Sequence, residues 1–565
     1  MVHVNAPERT DKVASPALMT GGQALVAALL GEGVETIFGL PGVQLDGAFD
    51  ALYDAQNAGK VRLYHTRHEQ ATAYMADGYA RSTGRVGTCL VVPGPGLLNA
   101  SAALSTAYAC NSPVLCVSGQ IVADLIGFGR GLLHEIPNQL EMIRSVTKHS
   151  ARAVTPEAVP ALVRDAFSHL RSGRIRPVEI EIPQDTLFAE ARVTLLSPAP
   201  APERSAGDPD LLDRAAKLLI AARRPLIWAG GGVLGAEAWA ELGTLAELLQ
   251  APVVMTSNGK GAVSDRHYLA HNLVSAMELL PECDLVLAVG TRFVDPTART
   301  AVGAPATPWG LAAGRNVIQL DIDPEEIGRN YPVTVGLLAD AKAGLTALTE
   351  RVERSGGKRP SREAELSALR RNVAEKVNAI EPQAGYGRAI RAALPDDGIY
   401  VSEMTQLGYW GNVGFPVYQP RTYITPGYQG TLGWGFPTSL GVKVGNPDRP
   451  VVSVNGDGGF GFALNELATM AHHNIATIVL VFNDNAYGNV KRIQEDDLRG
   501  RTIASELHNP DYAKLAAAFG IADRRATSPD ALQTELEAAI KANEPTLIEI
   551  PVGPMPNPWK RLGLR

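Results

Sequence analysis

Two short runs carry the residue types most suited to chemistry: Asp457 in Val454-Asn455-Gly456-Asp457-Gly458-Gly459-Phe460, and the polar cluster of Asn483-Asp484-Asn485-Ala486-Tyr487-Gly488. Each follows a continuous apolar stretch of strand length, residues 450–454 and 478–482, and residues 464–471 between them read as a helix. A strand–helix–strand crossover brings both turns to one edge of a parallel sheet. That edge, the carboxyl end of the strands, is where open α/β sheets bind ligands. Carboxylate and amide oxygens on neighbouring turns suit Mg²⁺, which takes few protein oxygens and completes its octahedron with phosphate oxygens and water. Gly-Asp-Gly alone is an ordinary turn, so a purely structural turn is the competing reading.

Two further segments bear on that choice. Arg67-His68-Glu69-Gln70 leads into Ala71-Thr72-Ala73-Tyr74-Met75-Ala76-Asp77-Gly78-Tyr79-Ala80-Arg81, a helix of small residues that opens on a charged tripeptide. A glutamate there has a plain use, complementing the helix dipole. Gly427-Tyr428-Gln429-Gly430-Thr431-Leu432-Gly433-Trp434-Gly435-Phe436-Pro437 is glycine-dense, which lets backbone approach a ligand closely. A loop entering a glycine-tolerant helix is its bland reading.

Together, in this order, the glutamate, the glycine segment and the two metal-type turns resemble the thiamine-diphosphate (ThDP) enzymes of the acetolactate synthase / pyruvate oxidase-like family. The resemblance covers nearly the whole chain. It implies ThDP and Mg²⁺ as cofactors and three doubly wound α/β domains with parallel sheets: pyrimidine-binding, central and diphosphate-binding. Glu69 matches the glutamate that activates the cofactor through its pyrimidine ring, and a buried charge-assisted hydrogen bond fits that task. Leu432 matches the aliphatic prop that keeps the cofactor bent, with Gly430 and Thr431 alongside the pyrimidine. Gly456, Asp457, Gly458, Gly459, Asp484, Ala486, Tyr487 and Gly488 match the diphosphate–metal motif. The implied ligands are Asp457, Asp484 and the Ala486 carbonyl, with Asn483 as the fallback.

Other positions match more loosely. Gly94-Pro95-Gly96-Leu97-Leu98-Asn99 resembles the family's segment below the active centre. Ser118-Gly119-Gln120 follows the strand at residues 114–117, so the Gln120 amide faces the reacting carbon in this reading. Phe38-Gly39-Leu40-Pro41-Gly42-Val43-Gln44, after a helix at residues 24–30, resembles the loop that covers the thiazolium from a partner subunit. Gln44 and His134 are candidate substrate contacts. A structural role stands beside the catalytic one at each of these positions.

The chain also departs from the acetolactate synthase pattern. Asp484 replaces the usual asparagine, keeping an oxygen ligand and adding a negative charge. Arg292-Phe293-Val294-Asp295-Pro296 lacks the final arginine of the family's acceptor-binding run, and Ile493 stands where those synthases carry tryptophan. Lys491 and Arg492 place positive charge near the expected mouth or serve simply as solvated charges.

The remainder of the chain must position these residues. With 565 residues it is long enough for three domains, expected at 1–190, 205–352 and 365–565, with a Pro/Ala-rich linker at 196–203 and a charged stretch at 353–360. Strands are expected at residues 178–183, 225–229, 253–256, 285–289 and 317–320. Gly230-Gly231-Gly232 is a glycine-rich turn able to approach a dinucleotide, and Gln319-Leu320-Asp321-Ile322-Asp323-Pro324-Glu325-Glu326-Ile327-Gly328 resembles the strand and turn that hold FAD in acetolactate synthases, although no G-x-G-x-x-G fingerprint is present. The net charge of −7 forms no basic stripe for nucleic acid, and no apolar run is long enough for a membrane span. Four cysteines without CxxC spacing, and no signal-peptide h-region, lead us to expect a reduced, cytoplasmic protein.

The expected activity is carboligation or decarboxylation of a 2-oxoacid. The alternatives are C–C cleavage of a non-acid substrate, a diketone or an acyl-CoA, and a non-catalytic nucleotide-binding relative. Because the glutamate and the metal motif lie on different domains, the resemblance implies a homodimer or homotetramer with active sites between subunits and a small-molecule substrate.

Overall fold

A computed structural model describes residues 15–294 and 315–563. Asp295 and Pro296 therefore lie outside the described residues. The chain divides into two packed units. The first is formed by residues up to Ala76 with Val86–Tyr108 and Ser112–Pro202; the second by Asp77–Arg85, Ala109–Asn111 and the chain from Glu203 onward.

Among the described residues three six-stranded sheets form the framework, and within each every pairing is parallel. In the first unit the order is Arg62–His65, Thr36–Gly39, Gly87–Val91, Val114–Gln120, Val178–Pro183, His149–Arg152. Ranked by position in the chain, that order is 2-1-3-4-6-5. The last sheet of the second unit runs Tyr423–Ile424, Ile399–Ser402, Val451–Gly456, Ile478–Asn483, Thr546–Pro551, Ala522–Arg525, again 2-1-3-4-6-5. The first and last domains are thus two copies of one winding. The central sheet, Ala270–His271, Val253–Met255, Pro225–Ala229, Leu285–Val289, Asn316–Asp321, Val335–Leu338, reads 3-2-1-4-5-6, the order of dinucleotide-binding domains.

Strands covered by helices on both faces need continuous apolar residues, and these have them. Val451, Val452, Val454, Val479, Leu480 and Val481 are all fully buried, each stabilising the fold by about 1.5–3 kcal/mol. One apolar core fills the first unit, and another runs through the central and last sheets of the second.

The expected strands appear where the apolar runs placed them, with some ends shifted by one to three residues: 253–256 is shortened to Val253–Met255, and 450–454 becomes Val451–Gly456. Val114–Gln120 continues through Gln120 instead of ending before it. The expected helix at 464–471 is divided into a 3₁₀ turn, Leu464–Glu466, and a helix, Leu467–His472. Buried Glu466 sits at the junction, where its Oε2 accepts the Thr469 hydroxyl at 2.5 Å, a side-chain bond within the first turn of the new helix. Among the described residues no helix is long and apolar enough to cross a membrane.

Candidate active site

In a doubly wound sheet the ligand crevice opens where the strand order reverses, because the loops leaving the two central strands there turn to opposite faces. In the last domain those strands are Ile399–Ser402 and Val451–Gly456. A cavity of about 240 Å³ opens at their carboxyl ends, lined by Met404, Thr405, Gly430, Leu432, Asp457, Asp484 and their neighbours, including Ala486, Tyr487 and Gly488. The metal-type turns and the glycine segment, distant in sequence, therefore share one cavity.

Asp457 begins the short helix Asp457–Gly461 and is almost wholly buried. Its Oδ2 accepts the Asn509 amide at 2.6 Å. The same amide nitrogen lies 2.9 Å from Asn483 Oδ1, and Asn483 Nδ2 donates to Glu549 at 2.9 Å. Asn483 thus faces the Asn509–Glu549 side, whereas Asp484 lines the cavity and accepts the Ala486 N–H at 3.2 Å. Burial raises the Asp457 carboxyl; burial first, and the Asp457 charge second, push Asp484 up to about 6. Two crowded, desolvated carboxylates beside a carbonyl-bearing turn form a donor set that a hard divalent cation would relieve. Tyr487 N–H bonds the Ser505 carbonyl and Leu507 N–H bonds that of Asn485, so this ladder passes over the Ala486 carbonyl.

The glycine segment is held from below by a residue that sequence reasoning passed over. Glu403 leaves the end of strand Ile399–Ser402, is 2% exposed, and accepts the Gly433 N–H at 2.6 Å. Its backbone N–H bonds the Val454 carbonyl, which ties it to the strand that delivers Asp457. Burial pushes its carboxyl up to about 7, against the lowering effect of the Gly433, Gly435 and Trp434 amides. Gly433 has φ +78°, and a Cβ there would come within 2.6 Å of Phe462 Cβ. Leu432 is 36% exposed on the cavity wall. Thr405 caps the helix Gln406–Gly414 by accepting the Gly408 N–H at 2.8 Å, fixing the opposite wall.

In the first unit Glu69 opens the helix Glu69–Thr83. Its Oε2 accepts the Asn99 amide at 3.0 Å, so the loosely matched Pro95–Cys110 helix orients it. The other candidates of this unit gather at its own reversal point, between Thr36–Gly39 and Gly87–Val91. Gln44 donates to the Leu133 carbonyl at 3.0 Å, and its Oε1 lies 3.0 Å from His134 Nδ1. Gln120 is buried; its Nε2 lies 3.4 Å from Glu181 and its oxygen accepts the Ile121 N–H at 2.7 Å. Its amide therefore lies beside a buried carboxylate. Gln139, also unread, bonds the Gly94 N–H at 2.9 Å and Glu181 at 2.7 Å, pinning that turn.

Lys491 pairs with Glu506 at 3.1 Å, and the Arg492 guanidinium bonds Asn489. In the central sheet Gly230-Gly231-Gly232 lies at the reversal point between Pro225–Ala229 and Leu285–Val289. A Cβ on Gly230 would meet the Gly290 carbonyl at 2.3 Å, so the two loops press together there.

Comparison with known proteins agrees with this geometry. Family models described as thiamine pyrophosphate enzyme N-terminal TPP binding, central and C-terminal TPP binding domains match residues 19–142, 212–348 and 403–550. The chain is 38% identical to a probable 2-ketoarginine decarboxylase of Pseudomonas aeruginosa, with 94% of each protein covered. It is 35% identical to a probable acetolactate synthase large subunit of Methanocaldococcus jannaschii, over 95% of this chain and 92% of that one. It is 32% identical to an acetolactate synthase large subunit of Haemophilus influenzae, over 92% of each.

Proposed function

We infer that this chain, which belongs to the thiamine-diphosphate-dependent enzymes of the acetolactate synthase family, decarboxylates a 2-oxoacid and then releases the product or joins it to an acceptor. It is a ThDP-dependent carboligase or decarboxylase. The observation that carries the reading is the single cavity lined by both the paired aspartates and the Gly430–Leu432 turn. The diketone, acyl-CoA and non-catalytic alternatives are not favoured by relatives named as 2-ketoarginine decarboxylase and acetolactate synthase.

When bound, ThDP supplies an electron sink at its thiazolium ring for the carbanion left by decarboxylation. The chain's residues hold and orient it in our reading. Asp457, Asp484 and the Ala486 carbonyl would hold Mg²⁺ beside the diphosphate, with Gly456, Gly458, Gly459, Tyr487 and Gly488 shaping the turns. Leu432 would pack against the cofactor from the cavity wall, and Gly430 and Thr431 would lie alongside its pyrimidine. Glu69, steadied by Asn99, hydrogen-bonds the pyrimidine and controls its proton. Gln44 and His134, already in contact, would meet the substrate, and Gln120 would be the catalytic contact this unit supplies. The missing synthase arginine and Ile493 in place of tryptophan favour a product or acceptor other than that of biosynthetic acetolactate synthase.

We place the working site between subunits of a homodimer or homotetramer, as the family arrangement requires; an active monomer by light scattering would contradict that. Four free cysteines support a cytoplasmic setting. The dinucleotide-type strand order and Asp321 at the end of its strand support an FAD or nucleotide site in the central domain, and a purified protein without flavin absorbance would remove FAD.

The test is CO₂ release from pyruvate, from longer and aromatic 2-oxoacids and from the guanidino 2-oxoacid named by the Pseudomonas relative, for wild type and Glu69→Gln. Turnover that collapses by about a hundred-fold or more in the variant supports the reading. Absence of turnover while ThDP binds overturns it.

A further inference from the structure

A second cavity, of about 680 Å³, shares no residue with the aspartate cavity and has a different character. It lies between the edge strand Ala270–His271 of the central sheet and the helices Glu363–Asn378, Gln383–Ala393 and Gln406–Gly414 of the second unit. Its size is in the range of small-ligand sites.

Its lining carries Lys260, Arg266, Arg370, Arg388 and Arg391 against two carboxylates, Asp265 and Asp396, an excess of three positive charges. The acids do little to offset the inner cations. Asp396 is engaged by exposed Arg266, with one guanidinium nitrogen at 2.8 Å, and Arg388 turns to Glu381 at 2.7 Å. Arg370 bonds the carbonyls of His267, at 2.6 Å, and Asp265; Arg391 bonds those of Leu394 and Pro395 at 2.5 and 2.6 Å. Carbonyls fix a guanidinium in place without cancelling its charge. Lys260, 4% exposed, has its ammonium 3.9 Å from Asp265, whose nearer oxygen already accepts the Val417 N–H at 2.8 Å.

Two donors complete the lining. Arg391 Nε is buried without a hydrogen-bond partner. His271 is 2% exposed, and neither ring nitrogen has a partner in hydrogen-bond geometry, the Tyr268 backbone acting on the ring only weakly against burial. Burial, with Arg370 and Arg362 nearby, pushes His271 down to about 3, so it adds a neutral N–H to the set and no further charge. Lys260 also lies 5.4 Å from the Tyr423 ring and half-buried Arg391 4.9 Å from that of Tyr418, contacts that steady a cation without neutralising it; a buried ammonium and an unpaired buried imidazole are costly unless something satisfies them.

We propose that this cavity is a binding site for a small organic polyanion, whose clustered phosphate or carboxylate oxygens are held by Lys260, Arg370, Arg391 and His271. The site is placed to influence the catalytic one. The helix Gln406–Gly414 lines the aspartate cavity with Leu407 and Tyr409 and the cationic cavity with Trp410 and Val413, and Asn272 bonds the Val413 carbonyl at 2.7 Å. A ligand there loads the far end of the helix that walls the cofactor cavity.

Isothermal titration of the full chain, saturated with ThDP and Mg²⁺ so that the diphosphate site is filled, tests this at matched free Mg²⁺ and ionic strength. The probes are inorganic pyrophosphate, citrate and ADP, with adenosine as the uncharged control. The expected result is one saturable site per chain for at least one anion and none for adenosine. Pyrophosphate without citrate would assign a phosphate ligand, and the reverse a carboxylate. Lys260→Met, which keeps the aliphatic stem, should weaken binding about ten-fold or more. Exposed Arg388→Gln should weaken it less, and serves if the first variant does not fold. No saturable anion binding at millimolar concentration overturns the site, as does affinity unchanged in both variants. Neither result depends on turnover, so it stands apart from the 2-oxoacid assignment.

Discussion

Glu403 Oε1 accepts the Gly433 N–H at 2.6 Å, so a carboxylate rooted at the end of one central strand grips the backbone one residue beyond Leu432. The side chain is buried, and its second oxygen has no hydrogen-bond partner. A desolvated carboxylate with one oxygen unpartnered is an unusual thing for a fold to keep, and its geometric result is a fixed turn on the cavity wall.

Glu403→Ala should therefore leave the Gly433 N–H unsatisfied, at a cost of about 1–3 kcal/mol, and should weaken ThDP binding by releasing the turn. Glu403→Gln isolates the charge. Folding raises this carboxyl from its ordinary value near 4.5 to about 7, so the folded chain holds the proton more tightly than the unfolded one. The resulting stability is fully present below about 4.5 and is lost as pH rises through about 7, a change of about 3 kcal/mol. Urea midpoints at pH 5.5 and 8 should show wild type losing stability relative to Glu403→Gln as pH rises. Parallel pH profiles for the two proteins would refute the assignment.

Asp484→Asn places the usual family residue at the metal turn. In wild type the carboxyl is raised to about 6, so protons compete for it just below neutrality. Wild-type Mg²⁺ affinity should climb as pH rises through about 6, while the variant's profile should be flatter. At pH 8 the variant should bind Mg²⁺ more weakly, within roughly ten-fold, because one negative charge is gone. Calorimetric Mg²⁺ titrations at several pH values, with ThDP present, distinguish these shapes.

What the sequence disclosed, and what it hid, follows from the range of the interactions. Strands such as Leu285–Val289 and Pro225–Ala229 lie where continuous apolar runs placed them, because a strand buried on both faces has no polar positions to blur it. Asp457 and Asp484 were legible as turn residues after such strands. The shared 2-1-3-4-6-5 winding was not, since strand order is a matter of pairing between distant segments. Nor was Asn509, which meets Asp457 across 52 residues from an irregular stretch without periodicity. Gln120 was read by position alone, and its orientation was decided by Glu181, a buried carboxylate on the neighbouring strand. Glu403 offered one clue, an acid directly after a wholly buried strand.

Asn509→Ala removes the amide that holds Asp457 Oδ2 at 2.6 Å and also touches Asn483. Outer residues of this kind tune metal sites by orienting the ligand, and their loss typically costs ten- to a hundred-fold in affinity. Mg²⁺ affinity in the presence of ThDP should fall by about ten-fold, with the apoprotein melting temperature lowered by only a few degrees. Unchanged Mg²⁺ affinity would show that Asp457 needs no such support.

Gly459 lies directly against the Glu403 carboxylate: a Cβ there would stand 2.3 Å from Oε2 and 2.5 Å from Cδ. Gly459→Ala should destabilise the fold by about 1–3 kcal/mol, the usual cost of overpacking, by forcing the carboxylate off the Gly433 amide. If that contact is the cause, Glu403→Ala makes room for the added methyl, and Gly459→Ala should cost markedly less in the Glu403→Ala background. Residues in contact commonly show coupling of about 0.5–3 kcal/mol, so the four proteins of this cycle should be clearly non-additive in urea unfolding. Additive costs would place the strain of Gly459→Ala elsewhere and detach Glu403 from the diphosphate-side turn.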